Sequence, residues 1–367
     1  MPAANLVFLV DVSGSMEEPG KLPLVKTALK LLAGELRGID KVAIVVYAGN
    51  AGLVLPATSG SEKQVIIDAI DHLEAGGSTA GGAGLQLAYK IAQDAFIEGG
   101  NNRIILATDG DFNVGSSSDD EMVTLIEKER ESNIFLSVLG FGTDNYQDTK
   151  MQLLADKGNG NHSFIDNVNE ARKVLVHEFG STLFTIAKDV KIQVEFNPAL
   201  VQGYRLIGYE NRALEAEDFR DDHKDAGELG SGHTVTALYE IIPAGEKSEF
   251  LRPVDSLQFQ ATKQVLKGND ALGVIRLRYK LPEGENSQII TLAVENHPVY
   301  FSAASENFRF AAAVAGFGLL LRQSPYRQDC NYELIKTIAA NAKGKDHRGL
   351  RMEFLELVNL GAILANK

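Results

Sequence analysis

Residues 6–15, Leu-Val-Phe-Leu-Val-Asp-Val-Ser-Gly-Ser, pass from an unbroken apolar run into a turn rich in side-chain oxygens. An apolar run without alternation suits a strand covered on both faces by helices. The runs VAIVVYA from Val42, RIILATD from Arg103 and IFLSVLGFG from Ile134 have the same character. Between the first two, Leu22, Val25, Leu29, Leu32 and Leu36 recur at spacings of three and four, which places them on one face of a helix. Residues 62–73, 84–96 and 121–130 read as further helices. Strand alternating with helix predicts a doubly wound, mostly parallel α/β sheet in the first half of the chain.

After residue 183 the period changes to two. Val190, Ile192, Val194 and Phe196 alternate with Lys191, Gln193 and Glu195, and Ile275, Leu277, Tyr279 and Leu281 alternate with Arg276, Arg278 and Lys280. The pattern predicts half-buried antiparallel strands with the apolar set inward. With further strand candidates at 205–209, 234–242 and 288–294, it predicts a small β-sandwich over 186–302. The polar stretch 215–232 reads as a surface loop. From 303 to 367 the pattern is helical, with Leu334, Ile335, Ile338, Ala339 and Ala342 on one face and Phe354, Leu357, Val358 and Gly361 on another. This tail carries nine Lys and Arg against six Asp and Glu, net +3, and is expected to pack on the sandwich.

Composition narrows the function. With 44% hydrophobic and 23% charged residues the chain is an ordinary globular one. A net charge of −13, with no long basic run, disfavours a phosphate backbone as partner, so nucleic acid is not expected. The longest apolar stretch, Phe310 to Leu321, is 12 residues, too short to cross a bilayer. The first strand-like run begins near Asn5 without a basic region before it, so no signal peptide is expected in this chain. The single cysteine, Cys330, excludes an internal disulfide framework and cysteine-rich zinc modules. Histidines occur at no H-x-x-x-H spacing, and no phosphate-cradling glycine motif is present. Asp218, Asp221, Asp222 and Asp225 lack the order of a calcium loop and read as a solvated acidic stretch.

The chemistry concentrates at the carboxyl ends of the early strands. Asp11-Val12-Ser13-Gly14-Ser15 follows the first strand, Gly76-Gly77-Ser78-Thr79 precedes a helix, and Thr108-Asp109-Gly110 ends a later strand. Ligand sites of doubly wound sheets lie there, at the topological switch point. Carboxylates and hydroxyls without His or Cys are hard ligands, suited to Mg²⁺ or Mn²⁺. Gly14 is read as the residue allowing the tight turn, and Asp111 as an exposed loop acid or a support for the site.

These residues resemble the metal-ion-dependent adhesion site of von Willebrand factor type A (VWA) domains. The likeness covers residues 5–183, with a domain boundary expected at 185. The arrangements GGSTAGGAGLQLAY and LATDGDFNVG are similar to a bacterial branch whose members are often envelope lipoproteins with an additional C-terminal region. The resemblance implies a Rossmann-like fold, a bound Mg²⁺ or Mn²⁺, and a ligand set of Asp11, Ser13, Ser15, Thr79 and Asp109. It implies a non-enzymatic module for adhesion or scaffolding, in which the ion recruits an Asp or Glu carboxylate of a protein partner. Asp11→Ala and Asp109→Ala are expected to weaken metal and partner binding with little loss of fold, on the view that exposed loop acids add little to packing.

Two other readings stand beside it. Some bacterial VWA domains serve as co-factor proteins of MoxR-like AAA ATPases. A Mg²⁺-dependent phosphohydrolase would use an Asp after the first strand as nucleophile, but needs an acid two residues later, where this chain has Ser13.

Overall fold

The computed structural model describes residues 2–77, 81–110, 119–143, 146–178, 185–209, 214–215, 217–222, 226–251, 270–282 and 284–365. Among them the chain divides into two compact units, one of residues 1–190 with 225–233 and 279–287, the other of 191–224, 234–278 and 288–367.

The first unit is built on a six-stranded sheet. Its strands are β1 (Ala4–Asp11), β2 (Lys41–Tyr47), β3 (Ala51–Ser59), β4 (Asn101–Thr108), β5 (Ile134–Phe141) and β6 (His162–Ile165), in the order β3-β2-β1-β4-β5-β6. β1 runs parallel to both β2 and β4, β5 is parallel to β4 and β6, and only the edge strand β3 is antiparallel to its neighbour β2. Every residue of β1 is buried. Leu6, Phe8 and Val10 face one helical layer, formed by α1 (Leu22–Glu35), α2 (Lys63–Asp71) and the segment around Ala171 to Leu175. Val7 and Leu9 face the other, formed by α3 (Gly81–Asp94), α4 (Asp119–Glu131) and α5 (Asp148–Lys157). Coverage on both faces is why these strands carry no polar alternation. The predicted stripe of α1 is buried throughout, from Leu22 to Leu36.

Around this six-stranded sheet β3, α5, β6 and the short α6 (Val168–Arg172) escape the sequence reading. β3 carries Pro56 and leaves Leu53 and Val54 exposed, as an edge strand tolerates. Its signal is weak because one side has no neighbour.

The later strands are β7 (Thr185–Phe196), β8 (Val201–Ile207), β9 (Gly227–Gly230), β10 (Leu238–Pro243), β11 (Ala271–Lys280) and β12 (Ser287–Glu295). They form a four-stranded sheet, order β12-β11-β7-β9, and a two-stranded ribbon of β8 and β10, with β7 antiparallel to β9 and β8 antiparallel to β10. The strand candidates at 205–209 and 234–242 are therefore displaced, starting earlier in β8 and later in β10.

Here the structure corrects the predicted facing of β7. Lys191 is 1% exposed whereas Ile192, predicted to point inward, is 51% exposed. The reason is polar: Lys191 Nζ donates to the Asp221 carbonyl at 2.5 Å. Arg278 on β11 is likewise buried, donating to the Phe219 carbonyl at 2.8 Å and pairing with Asp222 at 2.9 Å. A period of two identifies two faces but not which one is covered once charged groups find partners. Within the first unit, Asp189 is held by Lys280 at 2.8 Å. The expected surface loop 215–232 is corrected too, because it contains β9 and buries Phe219. Asp221 and Asp222 are exposed, as expected of an acidic surface stretch, although Asp222 pairs with Arg278 and the main-chain carbonyl of Asp221 accepts from Lys191; Asp225 lies outside the described residues.

The tail forms α7 (Glu306–Leu321), α8 (Tyr332–Asn341) and α9 (Leu350–Ala365). Ser305 and Asn331 cap the first two, accepting from Phe308 N and Leu334 N at 3.1 and 2.9 Å. The three helices share a core of Ala313, Ile335, Ala339, Leu355 and Val358, ringed by Phe310, Phe317 and Phe354. Leu334 and Leu357, predicted on core faces, are exposed instead. No helix among the described residues is long and apolar enough to cross a membrane.

The approach of α3 to the sheet tests this packing. A Cβ at Gly84 would lie 2.7 Å from Tyr47 Cβ, so Gly84→Val is expected to lower unfolding free energy by about 2 kcal/mol or more through overpacking. Urea denaturation measures it, and an unchanged midpoint would show that α3 has room to move away.

Candidate metal centre

The sheet order places the switch point between β1 and β4. Register pairs Val10 with Ala107, so Asp11 and Thr108 end adjacent strands and the chain leaves them in different directions. Val12 N still donates to the Tyr47 carbonyl at 3.0 Å. The chain then turns through Ser13 into a 3-10 turn, Gly14–Glu17. Gly14 N donates to the Gly77 carbonyl at 3.1 Å and Gly76 N to the Val12 carbonyl at 2.7 Å. The glycine loop is thereby fastened to the Asp11 turn.

Space at these glycines differs from the sequence reading. A Cβ at Gly14 would meet nothing closer than 3.7 Å, so Gly14 is not sterically required. Gly77 is the demanding position, with φ +86° and a Cβ site 3.3 Å from Gly49 N.

Asp11 is fully buried. Its Oδ1 accepts from Ser13 N at 2.9 Å, and its Oδ2 accepts from Tyr47 OH at 3.0 Å and more weakly from Thr108 Oγ1 at 3.4 Å. Ser13 Oγ lies 3.1 Å from Ser15 Oγ, Ser13 being buried and Ser15 exposed. Asp109 is 8% exposed, and its Oδ2 accepts from Lys21 Nζ at 3.2 Å. Burial pushes the Asp11 carboxyl above the usual carboxylate range, and the charge of Asp109 adds to the rise. Hydrogen bonds from Ser13 and Tyr47 oppose it. The same burial, with Asp11 nearby, holds the Tyr47 phenol well above its ordinary value.

Of the expected ligand set, Asp11, Ser13, Ser15 and Asp109 thus gather around one end of the sheet. Thr79 and Asp111 lie outside the described residues, although Gly77, two positions before Thr79, is bonded to the Asp11 turn. Both acids are buried, which corrects the view that they are exposed and dispensable to packing: Asp11→Ala would strip the partner from Tyr47 OH and Ser13 N. The sequence motif does not include Lys21 or Tyr47, and it names Thr108 only as part of the stretch that ends β4, not as a partner of Asp11. Tyr47 and Thr108 each stand at the carboxyl end of a buried strand, a position that signals nearness to a site, whereas Lys21 precedes a helix with no motif around it.

Among the described residues no group of three or more His, Cys, Asp or Glu gathers to hold a metal. A cation at this end of the sheet would depend on the serine hydroxyls. Two carboxylates and neutral oxygens fit a hard divalent ion better than a soft one.

Comparison with known proteins agrees with this architecture. Residues 5–177 match the von Willebrand factor type A domain, and residues 181–364 match the family described as "Uncharacterized protein YfbK, C-terminal". The chain belongs to the YfbK family of VWA proteins. Its VWA domain is a protein-interaction module, and modules of this kind are in general non-catalytic. YfbK of Escherichia coli K12 is 47% identical over 362 residues, which are 98% of this chain and 62% of that protein. The protein sll0103 of Synechocystis is 30% identical over 168 residues, 46% of this chain and 39% of its own length. This chain therefore spans less than two thirds of these bacterial relatives. Among solved structures, BatB from Bacteroides thetaiotaomicron is similar at 25% identity and a TM-score of 0.41, covering 48% of this chain and 97% of its own. Proximal thread matrix protein 1 from the mussel byssus, with a zinc-occupied MIDAS motif, is similar at 23% identity and a TM-score of 0.38, covering 47% of this chain and 44% of its own.

The raised pKa of Asp11 has a stability consequence. The folded protein holds this proton more tightly than the unfolded chain, so Asp11 costs stability as pH rises from the unfolded carboxylate value through the folded one. In EDTA at pH 7, Asp11→Asn is expected to melt at a higher temperature than wild type, with the gap closing toward pH 3. A lower melting temperature at pH 7 would show that hydrogen bonding, not desolvation, dominates at this carboxylate.

Proposed function

We propose that the VWA domain binds Mg²⁺ or Mn²⁺ through Asp11, Ser13, Ser15, Thr79 and Asp109, and that the ion recruits an Asp or Glu carboxylate of a protein partner. One observation carries the reading. Asp11 and Asp109, 98 positions apart in the chain, are buried at one switch point beside the paired hydroxyls of Ser13 and Ser15. Neighbouring buried carboxylates disfavour one another's charge, and a cation relieves that cost. Bound there, the ion would supply a concentrated positive charge to which an outside oxygen ligand can attach. The protein's own part is to hold the oxygens: Tyr47 and Thr108 orient Asp11, while the contacts from Gly14 to Gly77 and from Gly76 to Val12 keep the glycine loop beside it.

The chemistry of the turn weighs against the phosphohydrolase alternative. The position two residues after Asp11 is Ser13, whose hydroxyl faces Ser15 and is far too weak an acid to protonate a leaving group. In this reading the chain is a binding module of three parts, 1–185 carrying the site, 186–302 rich in strands and 303–367 helical.

Calorimetry with MnCl₂ and MgCl₂ on the whole chain tests the proposal. Wild type is expected to bind one equivalent, and Asp11→Asn or the Ser13→Ala, Ser15→Ala double variant to lose about tenfold or more in affinity. Absence of heat with both metals in wild type would remove the proposed function.

A further inference from the structure

The site contains a charge that its motif does not announce. Lys21 is 7% exposed, and its ammonium meets Asp109 with both side chains nearly buried. Its stem is seated against Gly142 at the end of β5. A Cβ on Gly142, which has φ +80°, would lie 2.6 Å from Lys21 Cε and 3.0 Å from Cγ, so the glycine leaves the slot that the stem occupies. The Lys21 backbone is tied as well, its N donating to the Glu18 carbonyl and its carbonyl accepting from Val25 N, each at 2.9 Å. This is a fixed, desolvated ion pair. A surface lysine would trade such a partner for water at little cost, whereas this one has little water to turn to.

Its presence changes the charge balance. Asp11 and Asp109 alone would neutralise a divalent cation. With Lys21 counted, the described side chains sum to one negative charge, and a divalent ion would leave the site one charge positive. A positive charge in a mostly buried setting is stabilised by an anion and gains much less from a neutral carbonyl or amide oxygen.

We propose, on the metal-dependent reading above, that Lys21 is the residue that couples the two ligands. It weakens binding of the cation alone by competing for Asp109, and it makes an incoming carboxylate the group that restores neutrality. Metal and acidic partner then bind with positive cooperativity, each tightening the other by the same factor. Lys21 thereby sets the preference for a carboxylate-bearing partner without touching the partner itself.

The test is Mn²⁺ titration of the whole chain in sodium acetate, as a carboxylate probe, against sodium chloride of equal ionic strength. Wild type, Lys21→Met, Lys21→Gln and Asp11→Asn are compared, with circular dichroism melts reporting the fold. Acetate is expected to tighten Mn²⁺ binding to wild type by about fivefold or more. The two Lys21 variants are expected to bind Mn²⁺ in chloride by about fivefold or more tighter than wild type, with the acetate effect reduced to about twofold or less. Folded Lys21 variants with wild-type Mn²⁺ affinity and an undiminished acetate effect would overturn the inference while leaving the metal site standing. Lack of any acetate effect in wild type overturns it without recourse to a variant. If wild type binds no Mn²⁺, or Asp11→Asn binds it unchanged, the metal reading fails and the coupling falls with it.

Discussion

Everything at the candidate centre depends on β1 being paired in parallel on both sides. The main chain of β1 is bonded to β2 and β4 at once, so its carboxyl end is held in register with theirs. Asp11 consequently emerges between the ends of two neighbours, one offering Tyr47 and the other Thr108 and Asp109. A slip of a single residue on either side would turn those side chains to the opposite face. The apolar sides of β1 are matched to two helical layers, and that burial is what holds the register.

The same arrangement imposes an electrostatic cost. It buries a carboxylate whose charged form is disfavoured and sets a second one nearby. Hydrogen bonds from Ser13 N and Tyr47 OH offset part of this for Asp11, and the Lys21 ammonium does so for Asp109. Each acid therefore has its own compensation. Asp11 is compensated by neutral donors, which a cation need not displace. Asp109 is compensated by a full positive charge, which a cation must contend with. Binding sites commonly hold such imperfectly balanced charge because relieving it supplies affinity.

The second half of the chain follows a different economy. Its buried face on β7 and β11 carries Lys191 and Arg278, whose terminal nitrogens are held by loop carbonyls and an acidic side chain, while Ile192 is left at the surface. Its helical tail gathers a small apolar core around Ile335, Ala339 and Val358. Polar burial of this kind specifies which loop lies over the strand, since a shifted loop would leave an ammonium or guanidinium unsatisfied.

The alternation of strand and helix in the first half was legible because strands covered twice must be apolar along their length, as Leu6 to Val10 are. The motif Asp11, Ser13, Ser15, with Asp109 at a later strand end, was legible because few residue types serve as hard ligands. β3, with Pro56 and exposed Leu53, was not legible, since an edge is only half covered and half the pattern disappears. Nor was the inward turn of Lys191, which depends on where a distant carbonyl comes to lie. Sequence by itself determined the sheet's character and the carboxylates and hydroxyls that stand at its switch point, through local pattern and side-chain chemistry. Only the tertiary structure decided that Lys21 shares that centre. Its nearness to Asp109 arises from the packing of α1 beside the end of β5, where Gly142 admits its stem, and contacts made by layers closing on a sheet leave no trace in the spacing of residues along the chain.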